Sequence, residues 1–328
     1  MMPHKDLPHV CLVVLNWNGK EDTLACLQSI QEMDYPNFSV ILVDNASSDD
    51  SVAAARGAFA DKMDIEFLVN DHNLGFAAGT NVGLRRALEK GADLTWALNN
   101  DTVLEKDALS TLVSFHLDHP EFAALTPQIR YFERDERIWN CGGRLTRSGS
   151  QKYYYAGALS KQIIEKDFIE VTFVTGCALL VPSKVYHEQG LLTEDFFFGE
   201  EDYEFSLRFR ARGLKMACVV GSVIYHKVSS TVAKTSKEVV GKVFIHYLNR
   251  FVNLKHYMSG WKWQLWRHSY LHYINFLLLF RHKVGWVQVL RFSKLLLKES
   301  KARDRVDRVA FNAYFANDFR KPVKTDGA

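Results

Sequence analysis

The stretch HVCLVVLNWNG, residues 9–19, decides how the rest of the chain is read. Residues 10–15 are all apolar and rich in branched side chains. Polarity then arrives abruptly at Asn16, and Asn18-Gly19 breaks the run. An apolar run without a solvent face predicts a strand buried on both sides, as in a parallel sheet. A polar residue at its carboxyl end then stands where such sheets hold ligands.

The pattern repeats downstream. Gly19 opens an amphipathic segment with Leu24, Leu27 and Ile30 at helical spacing, and FSVILVD (38–44) is a second buried strand. Ser47 or Ser48 is expected to cap the next helix, with Asp49 and Asp50 suited to its positive end. Residues 65–69 form a third strand, 74–90 a loop then a helix, 94–98 a fourth strand and 107–119 a further helix. Such alternation predicts an α/β fold, a Rossmann-like and mostly parallel doubly wound sheet. Beyond residue 120 the alternation weakens. Residues 122–127, 171–181 and 215–220 read as strands, and 130–160 as irregular. From Lys237 the chain reads as helical, basic and aromatic. The expected division is a domain over 1–235 and a helical extension over 236–328.

Composition supports a folded chain of this size. The sequence has 328 residues, 47% of them hydrophobic, and only 7 prolines. Residues 1–226 hold 21 Lys and Arg against 32 Asp and Glu, whereas residues 227–328 hold 20 against 6. This asymmetry points to an anionic partner for the basic end, either nucleic acid or a membrane surface, or else to a solvated helical face. The five cysteines are scattered without a CxxC spacing, which argues against zinc and for reduced, buried thiols in a cytosolic protein. The amino terminus lacks the apolar core of a signal peptide. The longest apolar run near the end, YINFLLLF (273–280), is too short to span a bilayer.

Asn16, Asp44 and Asn99-Asn100-Asp101 each follow a strand directly, so they are expected to converge on one crevice with the loop 73–81. Asp44 can accept a hydrogen bond from a base or a ribose hydroxyl, or cap the next helix. The turn NWNGKED lacks the glycine pattern that cradles a pyrophosphate, so phosphates are left to a divalent metal. Asp101 is a hard oxygen ligand suited to Mg²⁺ or Mn²⁺, and His226 is the best second ligand. In FFFGEEDYEF the acids Glu200, Glu201 and Asp202 either compensate a helix dipole or supply a general base.

Together these stretches resemble the inverting family 2 glycosyltransferases of GT-A fold, in the rhamnosyltransferase-like branch. The resemblance covers residues 9–255. It is carried by VVLNWNG (13–19), LVDNASSDDS (42–51), NLGFAAGTNVG (73–83), LNND (98–101), TGCALLVPSKVY (175–186), FGEEDYEFSLRFRARG (198–213), YHKVSS (225–230) and YLNRFVNLKHY (247–257). The family implies that Asn16, Asp44 and Asn45 contact the nucleoside. It places Asn73, Gly75, Phe76, Gly79 and Asn81 in the loop over the donor, where Gly75 and Gly79 let main chain approach it. Asn99-Asn100-Asp101 stands where the family's metal motif stands, with Asp101 as the main ligand and His226 completing the site. Asp202 matches the aspartate that deprotonates the acceptor. Glu201 is its preferred motif partner because that pairing keeps the family spacing to Arg208, and Gly176 lies on the substrate side.

The implied reaction is transfer from a nucleoside-diphosphate sugar, such as dTDP-rhamnose, to a glycan or lipid-linked acceptor in surface polysaccharide synthesis. The rivals are a nucleotidyltransferase on a similar sheet and a non-catalytic sugar-nucleotide-binding protein. Tryptophans, tyrosines and cations over 256–297 fit either an interfacial helix on anionic lipid or a packed subdomain or homo-oligomer interface. The implied location is the cytoplasm, peripherally on the inner face of the cell membrane. No nucleic-acid recognition motif accompanies the basic residues.

Overall fold

A computed structural model of the chain describes residues 7–133, 136–163, 165–228 and 239–321. The boundary expected near residue 235, and Lys237 with it, lies outside the described residues. The chain divides into two compact units, Met1–Thr193 with Glu201–Ser229, and Glu194–Glu200 with Ser230–Ala328.

The first unit opens with the alternation expected of it. It runs β1 (Val10–Asn16), α1 (Lys20–Gln31), β2 (Phe38–Asp44), α2 (Ser51–Phe59), β3 (Ile65–Val69), α3 (Phe76–Glu89), β4 (Leu94–Asn99), β5 (Thr102–Leu104) and α4 (Ala108–Asp118). There follow β6 (Phe122–Tyr131), β7 (Ile138–Asn140), β8 (Gly143–Leu145), β9 (Gln151–Tyr153), β10 (Phe168–Val171), β11 (Ala178–Pro182) and α5 (Ser183–Gln189). The unit closes with α6 (Glu201–Ala211) and β12 (Lys215–His226). The main sheet is ordered β10-β12-β6-β11-β4-β1-β2-β3, with β5 on β12 and β7 on β6. Strands β3, β2, β1 and β4 are mutually parallel, and β6 is parallel to β12, but β11 runs antiparallel between β4 and β6.

The sheet is buried on both faces because each strand alternates its apolar residues between two layers. Val10, Leu12 and Val14 of β1 pack with residues of α1, α2 and α4, whereas Cys11 and Val13 pack with α3, α5 and α6. Helix α3 lies close to the sheet because of its glycines. A Cβ at Gly83 would run into the side chains of Val13 and Val43.

Three expectations are corrected. Residues 171–181 are not one strand. Residues 172–177 cross from β10, which pairs with β12, to β11, which pairs with β4 and β6. An apolar run therefore conceals a change of sheet position, turned where Thr175 Oγ1 accepts from the Cys177 amide at 3.3 Å. Residues 130–160 are not irregular but hold β7 and the β8-β9 ribbon, which is close enough that a side chain at Gly143 would strike the Lys152 backbone. Strand β12 continues past Val220 to His226, resuming after a register shift between Val219 and Val223.

The second unit contains α7 (Val239–Tyr257), α8 (Gly260–Phe276), a π-helical turn (Leu277–Arg281), α9 (Trp286–Ala302) and α10 (Arg308–Phe315). Its own core joins Phe244, Leu248, Phe251 and Phe292 to Phe196, so the segment Glu194–Glu200 belongs to this unit.

Two outcomes test this packing. Gly83→Ala should lower stability by about 1–2 kcal/mol, because overpacking outweighs the gain in helix propensity. At Gly57 of α2 nothing lies within 4 Å of an added Cβ, and Gly57→Ala should stabilise by about 0.5–1 kcal/mol. Urea unfolding midpoints of the two variants report both. All five cysteines are buried, and burial pushes the thiols of Cys11 to about 11 and Cys26 to about 12 from an ordinary 9.0. Folded thiols whose pKa is raised stabilise the protein below the unfolded pKa, and this contribution is lost as pH rises toward the folded values. Stability should therefore fall between pH 9.0 and about 12, and native protein at neutral pH should resist thiol reagents that label it in urea.

Candidate active site at the carboxyl rim of the sheet

The carboxyl ends of β1, β2 and β4 present Asn16, Asp44 and Asn99 in register. Asn16 is paired with Asp44 across β1 and β2, and Leu15 with Asn99 across β1 and β4. Asn16 is wholly buried and acts as a hub. Its amide nitrogen donates to Asp44 Oδ1 at 2.7 Å, Ser51 Oγ at 2.7 Å and Ser47 Oγ at 3.1 Å. Its Oδ1 accepts from Thr23 Oγ1 at 2.8 Å and Asn100 Nδ2 at 3.2 Å. One side chain thus ties β1 to β2, α1, α2 and the turn after β4. Gly19 makes room for this, since a Cβ there would lie 2.5 Å from Asn100 Nδ2.

Asp44 is also buried. Besides the Asn16 bond, its carboxylate accepts from Ser47 Oγ at 2.6 Å and the Ser47 amide at 2.9 Å. The expected capping of α2 by Ser47 or Ser48 is therefore corrected. Asp50 occupies the cap position without a side-chain cap bond, while Ser47 serves Asp44 and Ser48 donates to Asn18 Oδ1 at 2.7 Å through its amide.

Asn45 organises the glycine loop. Its Nδ2 donates to Asn73 Oδ1 and the Gly75 carbonyl, each at 3.0 Å. Its Oδ1 accepts from Asn70 Nδ2 at 3.1 Å and the Leu74 amide at 3.0 Å. Gly75 precedes α3 with φ +89, a conformation open to glycine, and Asn73 Oδ1 accepts its amide at 2.8 Å. Gly79 does not face an open ligand space as expected. The position of its missing Cβ is filled by Leu15 at 2.8 Å and Asn45 at 3.0 Å, so this glycine serves the docking of α3. Asn81, expected in the loop over the donor, is buried and donates to the Leu192 carbonyl at 2.8 Å while accepting the Leu192 amide at 3.2 Å.

Arg208 is likewise a fastener. Its guanidinium pairs with Glu204 at 3.0 Å and donates to the carbonyls of Gln189, Gly190 and Leu191, the last at 2.7 Å. Planar multi-donor geometry suits this task, and it leaves the group occupied by protein acceptors. Asn81 and Arg208 together hold residues 189–192 from two helices.

Asp101 follows the rim asparagines. Thr102 pairs with His226 as β5 runs antiparallel to the end of β12, and this brings His226 Nε2 to 3.1 Å from each oxygen of the Asp101 carboxylate. Trp139 stands edge-on to the imidazole, with ring centroids 4.5 Å apart. His226 Nδ1 is buried without a hydrogen-bond partner among the described residues. A carboxylate and an imidazole nitrogen in reach of one another are two donors open to a divalent cation such as Mn²⁺, and among the described residues no group of three or more such side chains is gathered.

A chain of contacts carries the rim onward to α6. The Asn99 amide donates to the Cys177 carbonyl at 2.9 Å. A Cβ on the adjacent Gly176 would lie 3.3 Å from the Phe76 ring and 3.7 Å from Glu201 Oε1. Glu201 and Asp202 form the first turn of α6, in the same unit as Asp101. Glu200, φ +82, is taken up within the second unit, where Arg250 Nε donates at 2.6 Å and Asn253 Nδ2 at 2.8 Å. Sequence reasoning gave Ser47 only the role of a helix cap and gave none to Asn18, Ser51, Thr23 or Trp139, the last of which sat in a segment read as irregular. Arg208→Ala should cost about 3–5 kcal/mol in urea unfolding, because it removes the ion pair with Glu204 and the donors to three carbonyls, and Arg208→Lys should recover only part of this.

Residues 8–242 match the family model described as glycosyltransferase like family 2. The chain is 22% identical over 259 residues to the low-salt glycan biosynthesis hexosyltransferase Agl10 of Haloferax volcanii, covering 75% of each. It is 21% identical over 226 residues to the dTDP-rhamnosyl transferase RfbF of Shigella flexneri, covering 69% of this chain and 71% of that one. Among solved structures, the mannosyltransferase PcManGT of Pyrobaculum calidifontis, in complex with GDP-Man and Mn²⁺, superposes with a TM-score of 0.56 at 15% identity, covering 91% of this chain and 76% of that one. GalNAc-T7 with UDP, GalNAc and Mn²⁺ gives 0.61 at 14% identity, and the match spans 76% of this chain but only 48% of that one. The fold is that of the GT-A glycosyltransferases, and the chain belongs to glycosyltransferase-like family 2.

Proposed function

We propose that the rim binds a nucleoside-diphosphate sugar with a divalent cation and transfers the sugar, with inversion, to a hydroxyl of a glycan or lipid-linked acceptor. The observation that carries this reading is the Asp101–His226 pair, 3.1 Å apart at the rim that also holds Asn16, Asp44, Asn45 and Asn100. The dTDP-rhamnosyl transferase RfbF and the glycan biosynthesis hexosyltransferase Agl10 favour dTDP-rhamnose or another hexose donor and a role in glycan synthesis.

In this mechanism Asp101 and His226 would hold the cation. When bound, the cation supplies positive charge against the negative charge that grows on the departing diphosphate. Asp44 and Asn45 order the nucleoside end and Asn73 the loop over it. The Asn16 hub holds these groups at fixed distances, so that they meet the donor without reorganising. Asp202, half-buried beside Glu201 in the first turn of α6, accepts the proton of the acceptor hydroxyl. That oxygen bonds to the anomeric carbon as the bond from this carbon to the diphosphate oxygen breaks on the opposite face. A single displacement inverts the centre.

Transfer assays with a donor panel test the scheme. Asp202→Asn should lower kcat by about 10²–10⁴-fold while nucleotide binding persists. Asp101→Asn and His226→Ala should remove the metal-dependent part of the thermal stabilisation given by nucleoside diphosphates. A folded Asp202→Asn protein with near-normal turnover would defeat the assignment.

A further inference from the structure

Helix α8 is apolar on two opposite sides. Trp263, Leu271 and Ile274, with Leu278 of the π-helical turn, are buried in the second unit. At about 100° per residue, the opposite side carries Trp261, Leu265, Tyr273 and Phe276, continued by Phe280 in the turn. Trp261 and Phe280 are each 68% exposed, Leu265 63% and Phe276 58%. The Phe276 and Phe280 rings contact each other, centroids 4.8 Å apart, rather than folding inward. The first turns of α9 add Trp286, 68% exposed, and Leu290. Scattered exposed hydrophobics are ordinary, but a continuous stripe of aromatics marks a surface that meets something.

Charge decides what it meets. From Val239 to Lys298 the sequence contains ten Lys or Arg and not one Asp or Glu. Lys262, Arg281, Lys283 and Lys294 are exposed around the stripe, with Lys262 Nζ 5.7 Å from the Trp261 ring centroid. A second copy docked through the same face would bring cations onto cations with no acid to pair them. Anionic lipid headgroups supply the missing charge, and their acyl boundary accepts the rings. Tryptophan and lysine framing leucine and phenylalanine is the composition of a helix lying in such an interface. Among the described residues no helix is long and apolar enough to cross a membrane.

We infer that α8 and the first turns of α9 lie in the plane of an anionic phospholipid surface. Trp261, Leu265, Phe276, Phe280 and Trp286 enter the headgroup–acyl boundary, and Lys262, Arg281, Lys283 and Lys294 meet the phosphates. This rests on the proposed transferase reading only for its purpose, which is to bring the enzyme to a lipid-linked acceptor.

Sedimentation of the full chain with vesicles tests it without reference to turnover. Vesicles of phosphatidylcholine mixed with an equal amount of phosphatidylglycerol should bind the protein at least about tenfold more tightly than phosphatidylcholine alone, and high salt should weaken this. Phe280→Ser combined with Trp286→Ser should lower affinity by about tenfold or more at unchanged circular dichroism. Lys262→Glu with Lys283→Glu and Lys294→Glu should abolish the preference for phosphatidylglycerol. Absence of binding to the mixed vesicles overturns the inference, as does undiminished binding by the Phe280/Trp286 variant. A dimer in light scattering that those two substitutions dissolve, without vesicle binding, would assign the face to self-association instead. Donor hydrolysis measured in solution reports separately on the catalytic reading.

Discussion

The Asn16 side chain is the constraint on which the rim depends. It is buried among groups that must all be satisfied, and its amide reaches Asp44, Ser51, Ser47, Thr23 and Asn100 at once. A buried polar network stabilises only if every member has a partner, so its geometry admits little variation. Removing one member would strand several others. The network therefore does for the sheet edge what a hydrophobic core does for the sheet, and it fixes polar atoms in space rather than merely excluding water.

Around this hub, fastening and chemistry fall to different residues. Gly79 and Gly83 allow α3 to settle on β1 and β2, and Asn45 then anchors the loop at the start of that helix. Asn81 and Arg208 hold residues 189–192. Arg250 and Asn253 hold Glu200, which leaves Glu201 and Asp202 at the start of α6. Strand pairing of β5 with β12 brings the Asp101 carboxylate and the His226 imidazole together, 3.1 Å apart.

The two units differ in sign as well as in architecture. The α/β unit is acidic and spends its charged groups near the rim and in helix-surface pairs such as Arg86–Glu66 at 2.8 Å. The helical unit is basic and buries only part of its aromatic content. Its inner rings pack Phe244 against Phe292 and Tyr314, while α8 turns a second set outward. One helix that is apolar on both sides satisfies a core and leaves an interface.

Local pattern carried most of the first four strands, because a run such as 10–15 can be buried only one way and its period needs no partner to be read. Strand ends at Asn16, Asp44 and Asn99 followed from the same pattern, and with them the rim. Arg208 was placed on the substrate side by family spacing, whereas the structure spends it on Glu204 and three carbonyls. Residues 171–181 were misread because one apolar run changes sheet position, and the strand read over 215–220 was ended early because it bulges and resumes to His226, since hydrophobicity does not record which neighbour a strand will have. Which amides are spent on protein was decided by tertiary structure alone. Asn81 lies 111 positions from Leu192 and Asp101 lies 125 from His226. Hydrogen bonds at such separations depend on how the sheet is assembled, and a residue's neighbours in the chain carry no trace of them.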